Sequence, residues 1–138
     1  MGECKIKNKC IFLDRDGVLN NIIIENEIPR PPKNLSSLKI MKGVKGSLKK
    51  LKSSNFLLIV ITNQPDFARG TQSKETINKI NDKLKQSLVI DDIFVCWHAR
   101  DGECNCRKPK TGLFIEAHKK YSIDFKKSFM IGDRWKDI

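Results

Sequence analysis

Residues 56–63 read FLLIVITN, and this stretch decides the fold class. Its first six residues, Phe56 to Ile61, are all apolar, and the last three of these are β-branched. A short, continuously apolar run of this kind is typical of a parallel strand that is covered on both faces. The run ends in Thr62 and Asn63, so the sequence predicts polar side chains at the carboxyl end of a buried strand.

Three shorter apolar runs, at residues 10–13, 93–95 and 129–131, indicate further strands. Helical patterns lie between them, with apolar residues three or four positions apart. These apolar residues are Val44, Leu48 and Leu51 in the first helix, Ile77, Ile80, Leu84 and Leu88 in the second, and Leu113, Phe114, Ala117 and Tyr121 in the third. Strands that alternate with helices predict an α/β fold with a parallel sheet. The proline-rich residues 21–39 are predicted to form a loop, and residues 1–138 a single domain.

Composition limits the possible functions without selecting one. The 138 residues carry 27 Lys and Arg against 16 Asp and Glu, a net charge of +11, which favours anionic partners. The lysines are scattered, however, and solvated helix faces explain many of them. No apolar run is long enough to span a bilayer and the N-terminus has no signal-peptide pattern, so we expect a cytoplasmic protein without membrane contact. We expect a monomer by default.

Polar residues follow every predicted strand, and this convergence is the main functional signal. They are Asp14 and Asp16 after the first strand, Thr62 and Asn63 after the second, Arg107 and Lys108 after the third, and Asp133 and Asp137 after the fourth. Ligands of parallel α/β sheets gather at the carboxyl ends of the strands. Asp14 and Asp16 are two positions apart and would face the same side of an extended chain, so that one carboxylate can attack and the other can move a proton.

A cluster of possible metal ligands lies between the third strand and third helix. Cys96, His98, Cys104 and Cys106 fall within eleven residues and make up the Cys₃His set of a closed, structural zinc site. Buried free cysteines and a disulfide are the alternatives, and a cytosolic setting favours the metal. A zinc-binding loop over residues 96–106 would present the basic residues that follow it rigidly.

Four segments resemble, in order, the motifs of the haloacid-dehalogenase-like phosphatases. They are FLDRDGVLN (12–20), ITNQPDFARG (61–70), CRKPKTG (106–112) and MIGDRWKDI (130–138). The resemblance implies a three-layer, doubly wound parallel sheet. It also implies Mg²⁺-dependent hydrolysis of a phosphate monoester through an aspartyl-phosphate intermediate. With the Cys/His segment, the pattern is most similar to the branch of the family that acts on heptose bisphosphate and histidinol phosphate.

The resemblance also implies a role for each matching residue. Asp14 would be the nucleophile and Asp16 the general acid and base, while Thr62 and Lys108 would hold the transferring oxygens. Mg²⁺ would be held by Asp14, the Asp16 carbonyl and Asp133, with Asp137 orienting Lys108 or the metal's waters. The candidate substrate contacts are Asn63, Gln64, Arg69 and Arg107.

Several alternatives remain open at this point. The ARG tripeptide at residues 68–70 favours a heptose bisphosphate over histidinol phosphate or another small metabolite. Family members continue beyond the fourth motif, so we expect a C-terminal strand and helix to be missing, and an inactive remnant is conceivable. The net charge motivates a different class, a basic zinc-stabilised nucleic-acid-binding module. An aromatic content of 7% with a single Tyr argues against that class, because stacking platforms need aromatic residues.

Overall fold

The central feature of the fold is a sheet of four parallel strands. The computed structural model describes residues 6–99 and 103–133. Its strands and helices are β1 (Cys10–Leu13), β2 (Ile23–Glu25), β3 (Ile28–Arg30), α1 (Val44–Ser53), β4 (Leu57–Asn63), α2 (Lys74–Ser87), β5 (Asp92–Cys96), α3 (Gly112–Tyr121) and β6 (Phe129–Ile131). The strand order is β5–β4–β1–β6, and each neighbouring pair is parallel. The predicted strands and helices are therefore present, and the four predicted strands form one sheet.

Helices cover both faces of this sheet. On one face, Leu48 of α1 and Ile80 of α2 pack in a cluster that includes Leu58 of β4. On the other face, Leu113 of α3 packs in a cluster that includes Ile59, the next residue of the same strand. Successive strand residues point to opposite faces, which explains why β4 is continuously apolar. The three layers confirm the predicted doubly wound α/β fold.

None of the helices in the described ranges has the length and apolarity needed to cross a membrane.

The prediction of an irregular loop over residues 21–39 is wrong in one part. Strands β2 and β3 pair antiparallel as a hairpin, and Asn26 and Glu27 at its tip have φ angles of 51° and 63°. Two successive positive φ angles are typical of a type I′ turn, which matches the twist of a hairpin. The β-branched residues on both sides of this turn were a strand signal. The prolines at positions 29, 31 and 32 obscured that signal, although proline is tolerated in a strand at a sheet edge.

Strand β6 lies at one edge of the described sheet and carries exposed apolar side chains. Phe129 is 61% exposed and Ile131 is 43% exposed. The backbone of β6 pairs with β1, and the amide of Asp14 donates to the Ile131 carbonyl at 3.0 Å just beyond that pairing. This hydrogen bond places the carboxyl ends of β1 and β6 side by side.

A small polar cluster joins the start of β5 to the end of α3. The Asp92 carboxylate accepts hydrogen bonds from Lys120 Nζ and from the Tyr121 hydroxyl, both at 2.7 Å. Burial alone would raise the pKa of Asp92. The hydrogen bonds from Lys120, Tyr121 and the Ile93 backbone outweigh burial and hold this pKa below its ordinary value of 3.8.

This cluster is expected to make stability depend on pH on the acid side. The pKa of Asp92 is lower in the folded chain than in the unfolded chain. Asp92 therefore contributes to the free energy of unfolding above about pH 4, and this contribution is lost as pH falls through the folded-state pKa. Urea unfolding of the wild type and of Asp92→Asn should show a stability difference at pH 6 that shrinks at pH 3. The exposed Asp82→Asn is the control. A difference that stays constant between the two pH values would contradict the assignment.

Candidate functional site

A cavity of about 620 Å³ opens at the carboxyl ends of the parallel strands. Polar and charged residues from the loops after β1 and β4, from the segment before α3 and from the β2–β3 hairpin surround it. Its lining includes Asp14, Asp16, Asn63, Gln64, Arg69, Arg107 and Lys108 among the residues singled out from the sequence. The position agrees with the general rule for parallel α/β sheets.

Asp14 and Lys108 form a buried ion pair at the base of the cavity. The distance between Lys108 Nζ and Asp14 Oδ1 is 3.2 Å, and the exposed fractions of these side chains are only 2% and 12%. Asn63 at the end of β4 fixes the backbone of Lys108, since Asn63 Oδ1 accepts from the Lys108 amide at 3.0 Å and Asn63 Nδ2 donates to the Lys108 carbonyl at 3.3 Å. A buried charge pair held in this way is costly to desolvate, and such pairs are frequent at functional sites.

The second aspartate of the loop is held by neutral and cationic donors. Asp16 Oδ2 accepts from Gln64 Nε2 at 2.9 Å, and Asp16 Oδ1 accepts from Asn20 Nδ2 at 3.0 Å. The Arg15 side chain also donates to both oxygens. Gln64 Nε2 also donates to Thr62 Oγ1 at 3.0 Å, and both side chains are buried. Thr62 is therefore close to the site without being part of the cavity lining.

Asp133 approaches the same loop from the end of β6. A Cβ atom added to Gly17 would lie 2.1 Å from Asp133 Oδ2, so the carboxylate packs directly against the glycine. Gly17 has a φ of +87°, which favours glycine on conformational grounds as well. Asp133 is exposed and, like Thr62, is not in the cavity lining. Asp137 lies outside the described residues.

One wall of the cavity consists of residues that the sequence reasoning missed. Arg30 at the end of β3 lies 3.6 Å from Asp66 Oδ1, and Arg69 reaches the same oxygen at 3.4 Å. Asp66 is 7% exposed and holds both guanidinium groups beside the cavity. The hairpin also contributes Ile22 and Ile28 to the lining. The IIIENEI pattern of residues 22–28 was the available signal for this wall.

The four side chains of the Cys/His segment come together in space. Each side chain offers one ligand atom, and these four atoms lie within 4.8 Å of one another. They belong to Cys96, His98, Cys104 and Cys106. The Cys96–Cys104 sulfur distance is 3.8 Å, the separation of neighbouring corners in a tetrahedron with zinc–sulfur bonds of about 2.3 Å, and the Cys96–Cys106 sulfur distance is shorter, at 3.0 Å.

The electrostatics of this cluster also suit a cation. Burial and the neighbouring thiols of Cys96 and Cys104 raise the pKa of Cys106 to about 12. For Cys104, the hydrogen bonds from the Arg107 and Cys106 backbone outweigh burial and lower the pKa to about 6. Several thiolates crowded together repel one another unless a positive ion lies between them. The donor set and the spacing therefore fit a closed metal site.

Comparison with known proteins agrees with this geometry. A family model described as polynucleotide kinase 3 phosphatase matches residues 9–136. A D-glycero-beta-D-manno-heptose-1,7-bisphosphate 7-phosphatase from Haemophilus ducreyi is 34% identical, over 94% of this chain and 75% of that protein. A probable D-glycero-D-manno-heptose-1,7-bisphosphate 7-phosphatase from Thermoplasma volcanium is 38% identical, over 91% and 86%.

A solved structure shares both fold and sequence. The D,D-heptose 1,7-bisphosphate phosphatase from B. bronchiseptica, complexed with magnesium and phosphate, superposes with a TM-score of 0.80 at 32% identity, over 94% of this chain and 72% of that one. The fold and the sequence matches define a phosphatase of the haloacid-dehalogenase type. Within that class, the chain belongs to the polynucleotide kinase 3 phosphatase family.

Proposed function

We propose that this chain hydrolyses the phosphate monoester of a sugar, namely the 7-phosphate of D-glycero-D-manno-heptose 1,7-bisphosphate. The observation that carries the proposal is the buried Asp14–Lys108 pair at the base of a polar cavity. The names of relatives at 34% and 38% identity supply the substrate. A cavity of about 620 Å³ has room for a phosphorylated sugar.

Asp14 is the proposed nucleophile. Its carboxylate attacks phosphorus in line, the bond from phosphorus to the sugar oxygen breaks, and an aspartyl-phosphate forms. Lys108 lies 3.2 Å from the attacking carboxylate and would stabilise the charge on the transferring oxygens, together with the hydroxyl of Thr62. Neutralising negative charge is essential here because nucleophile and substrate are both anionic.

Asp16 is the proposed general acid and base. In the first step it gives a proton to the departing sugar oxygen, and in the second it takes one from the water that attacks the aspartyl-phosphate. Its carboxylate lines the cavity and is oriented by several hydrogen-bond donors. Gln64 then orients the Asp16 carboxylate, and Asn63 orients the Lys108 backbone. Arg69 and Arg107 are the proposed contacts to the rest of the substrate.

The carboxyl ends of β1 and β6 fit a Mg²⁺ site. Asp14 and Asp133 supply carboxylates and Asp16 a backbone carbonyl, the oxygen ligands that Mg²⁺ prefers. The contact between Asp133 and Gly17 supports a shared site, because it brings the fourth-strand carboxylate to the first-strand loop. A bound Mg²⁺ would neutralise charge between Asp14 and the phosphate. Asp137 remains a proposed residue for orienting Lys108 or the waters of the metal.

Gly17→Ala tests this arrangement. The added methyl group would lie 2.1 Å from Asp133 Oδ2, so we expect the carboxylate to move and the Mg²⁺ concentration for half-maximal activity to rise. Gly43→Ala is the matched control, since Gly43 has a φ of +83° with nothing within 4 Å of its added Cβ. Both variants should lose about 1 kcal/mol of stability through backbone strain, but only Gly17→Ala should change the Mg²⁺ requirement. Equal Mg²⁺ requirements in the two variants would contradict the proposed site.

The Cys/His cluster is the proposed zinc site, with Cys96, His98, Cys104 and Cys106 as ligands. Its role is structural, because four protein ligands complete a tetrahedron and leave no position for substrate. Arg107 and Lys108 directly follow Cys106, so a fixed Cys106 would fix their backbone. We also propose a cytoplasmic location, because a metal site built from cysteine thiolates suits a reducing compartment.

The function is tested by comparing phosphate release from three substrates. These are heptose 1,7-bisphosphate, histidinol phosphate and an oligonucleotide with a 3′-phosphate, the last suggested by the family description and by the net charge of +11. We expect kcat/KM to be highest for the sugar by about tenfold or more, since buried polar contacts discriminate strongly between substrates. Faster release from the oligonucleotide, with a steep loss at higher salt, would replace the proposed substrate with a nucleic acid. Release from none of the three would indicate an inactive remnant.

A further inference from the structure

A fully buried arginine lies between the two active-site aspartates in the sequence. Arg15 is 0% exposed, and among the described residues it and Lys108 are the buried basic side chains. A guanidinium group out of contact with water needs charged or polar partners for its five N–H donors. The partners of Arg15 therefore indicate what the side chain does.

The first partner is Asp16, which Arg15 contacts at two points. Arg15 Nε donates to Asp16 Oδ1 at 3.0 Å and Nη2 donates to Oδ2 at 3.2 Å. This fork fixes the plane of the carboxylate as well as its position. The hydrogen bonds from Asn20 and Gln64 reach the same two oxygens from other directions, but neither contacts both.

The second partner is Asn81 on helix α2. Asn81 Oδ1 accepts from Arg15 Nη1 at 2.9 Å, and Asn81 is only 6% exposed. It lies on the face of α2 that also buries Ile77, Ile80 and Leu84. A buried amide on an apolar helix face destabilises the fold unless it is hydrogen-bonded. The hydrogen bond from Arg15 meets this requirement for Asn81.

We propose that Arg15 is a positioning residue for the proton transfer by Asp16, and that Asn81 in turn positions Arg15. The inference rests on the proposed function. As the phosphorus–oxygen bond to the sugar breaks, its electron pair stays on the oxygen, which takes the proton from the Asp16 carboxyl. That transfer requires a carboxyl oxygen within hydrogen-bond reach of the departing oxygen, and small misplacements reduce the rate strongly. Two contacts to one carboxylate, anchored on a core helix, meet this requirement. Because Asn20 and Gln64 also donate to these oxygens, the proton of the acid form takes the place of one of the four hydrogen bonds.

Single-turnover kinetics of Arg15→Lys, with enzyme in excess, test the proposal. Lysine keeps the positive charge but has no fork. Release of heptose 1-phosphate, the product of the first step, should slow by about thirtyfold, within the range that proton transfer contributes. Release of p-nitrophenol from p-nitrophenyl phosphate should stay within about threefold, because that leaving group departs without a proton. The KM for the sugar should also change by less than about threefold.

Asn81→Ala provides a second variant that leaves every direct contact to Asp16 in place. We expect it to slow the release of heptose 1-phosphate about fivefold, and to have no additional effect when combined with Arg15→Lys, as in a coupled pair. Asn78→Ala, on the exposed face of the same helix, is the matched control and should behave like the wild type.

Three outcomes would overturn the inference. Equal slowing of both substrates in Arg15→Lys and Asn81→Ala would mean that the network only supports the fold. Wild-type rates in both variants, with Asp16→Asn slow, would show that Asp16 acts without these residues while the proposed function stands. Normal release of heptose 1-phosphate by Asp16→Asn would remove the role of Asp16 itself, and the proposed mechanism would then fail together with the inference.

Discussion

Replacing Asp14 with Asn is expected to abolish phosphate release from the sugar substrate. The amide oxygen is a poor nucleophile and carries no charge, so no aspartyl-phosphate forms, and the rate should fall by about 10⁴-fold or more, as when a covalent catalyst is removed. Phosphate release under saturating substrate and Mg²⁺ is the measurement. Asp82→Asn, an exposed carboxylate on α2, is the control and should keep full activity.

The same substitution removes the carboxylate that pairs with the buried Lys108 at 3.2 Å. Removing one partner of a buried ion pair destabilises a protein by about 3–5 kcal/mol, so lost activity could reflect lost structure. Asp14→Glu separates the two effects, because it keeps the charge near Lys108 while moving the attacking oxygen by a methylene group. We expect Asp14→Glu to be folded by circular dichroism and at least about 10³-fold slower, since effective catalysis depends on precise placement. A folded Asp14→Asn protein within tenfold of the wild-type rate would contradict the nucleophile assignment.

Loss of zinc is expected to have the second-largest effect. The purified chain should contain about one equivalent of zinc, and its removal should unfold the segment between β5 and α3 because metal binding supplies the folding energy of such loops. Cys106→Ser should act in the same way, with a lower zinc content and rapid proteolysis of that segment. Lys108 lies two positions after Cys106, so the loss of zinc should also displace Lys108. Activity should then fall by about 10²-fold, the size of effect seen when a donor to the transferring oxygens is lost.

Cys10→Ala is the matched control for the zinc prediction. Cys10 is fully buried in β1, and burial raises the pKa of its thiol to about 12, so it is neither accessible nor a ready ligand. This variant should keep its zinc and its protease resistance. A chain that contains no zinc after purification from zinc-supplemented medium, yet resists proteolysis as before, would refute the structural role.

The sequence predicted the parts of the site that depend on strand ends. Asp14 directly follows β1 and Asn63 ends β4, and parallel topology alone brings such positions to one edge of the sheet. Their hydrogen-bond geometry could not be predicted in the same way. The contact between Asn63 and Lys108, for example, joins residues 45 positions apart and depends on how the Cys/His segment folds.

The missed residues were missed for physical reasons. Arg15 sits between two aspartates in a loop, where arginine is normally solvated, and nothing local indicates that a helix 66 residues away receives its side chain. The β2–β3 hairpin was hidden because prolines usually interrupt strands, while here Pro29 occupies a two-stranded ribbon with free edges. Long-range packing decided both cases.

The hairpin wall has a consequence for how the cavity responds to ionic strength. Arg30 is 35% exposed and its ion pair with Asp66 is long at 3.6 Å, so dissolved ions screen it readily. Asp14 and Lys108, in contrast, are shielded from solvent and keep their attraction in salt. We therefore expect concentrated electrolyte to weaken the Arg30–Asp66 contact in the cavity wall before it affects the Asp14–Lys108 pair at the base.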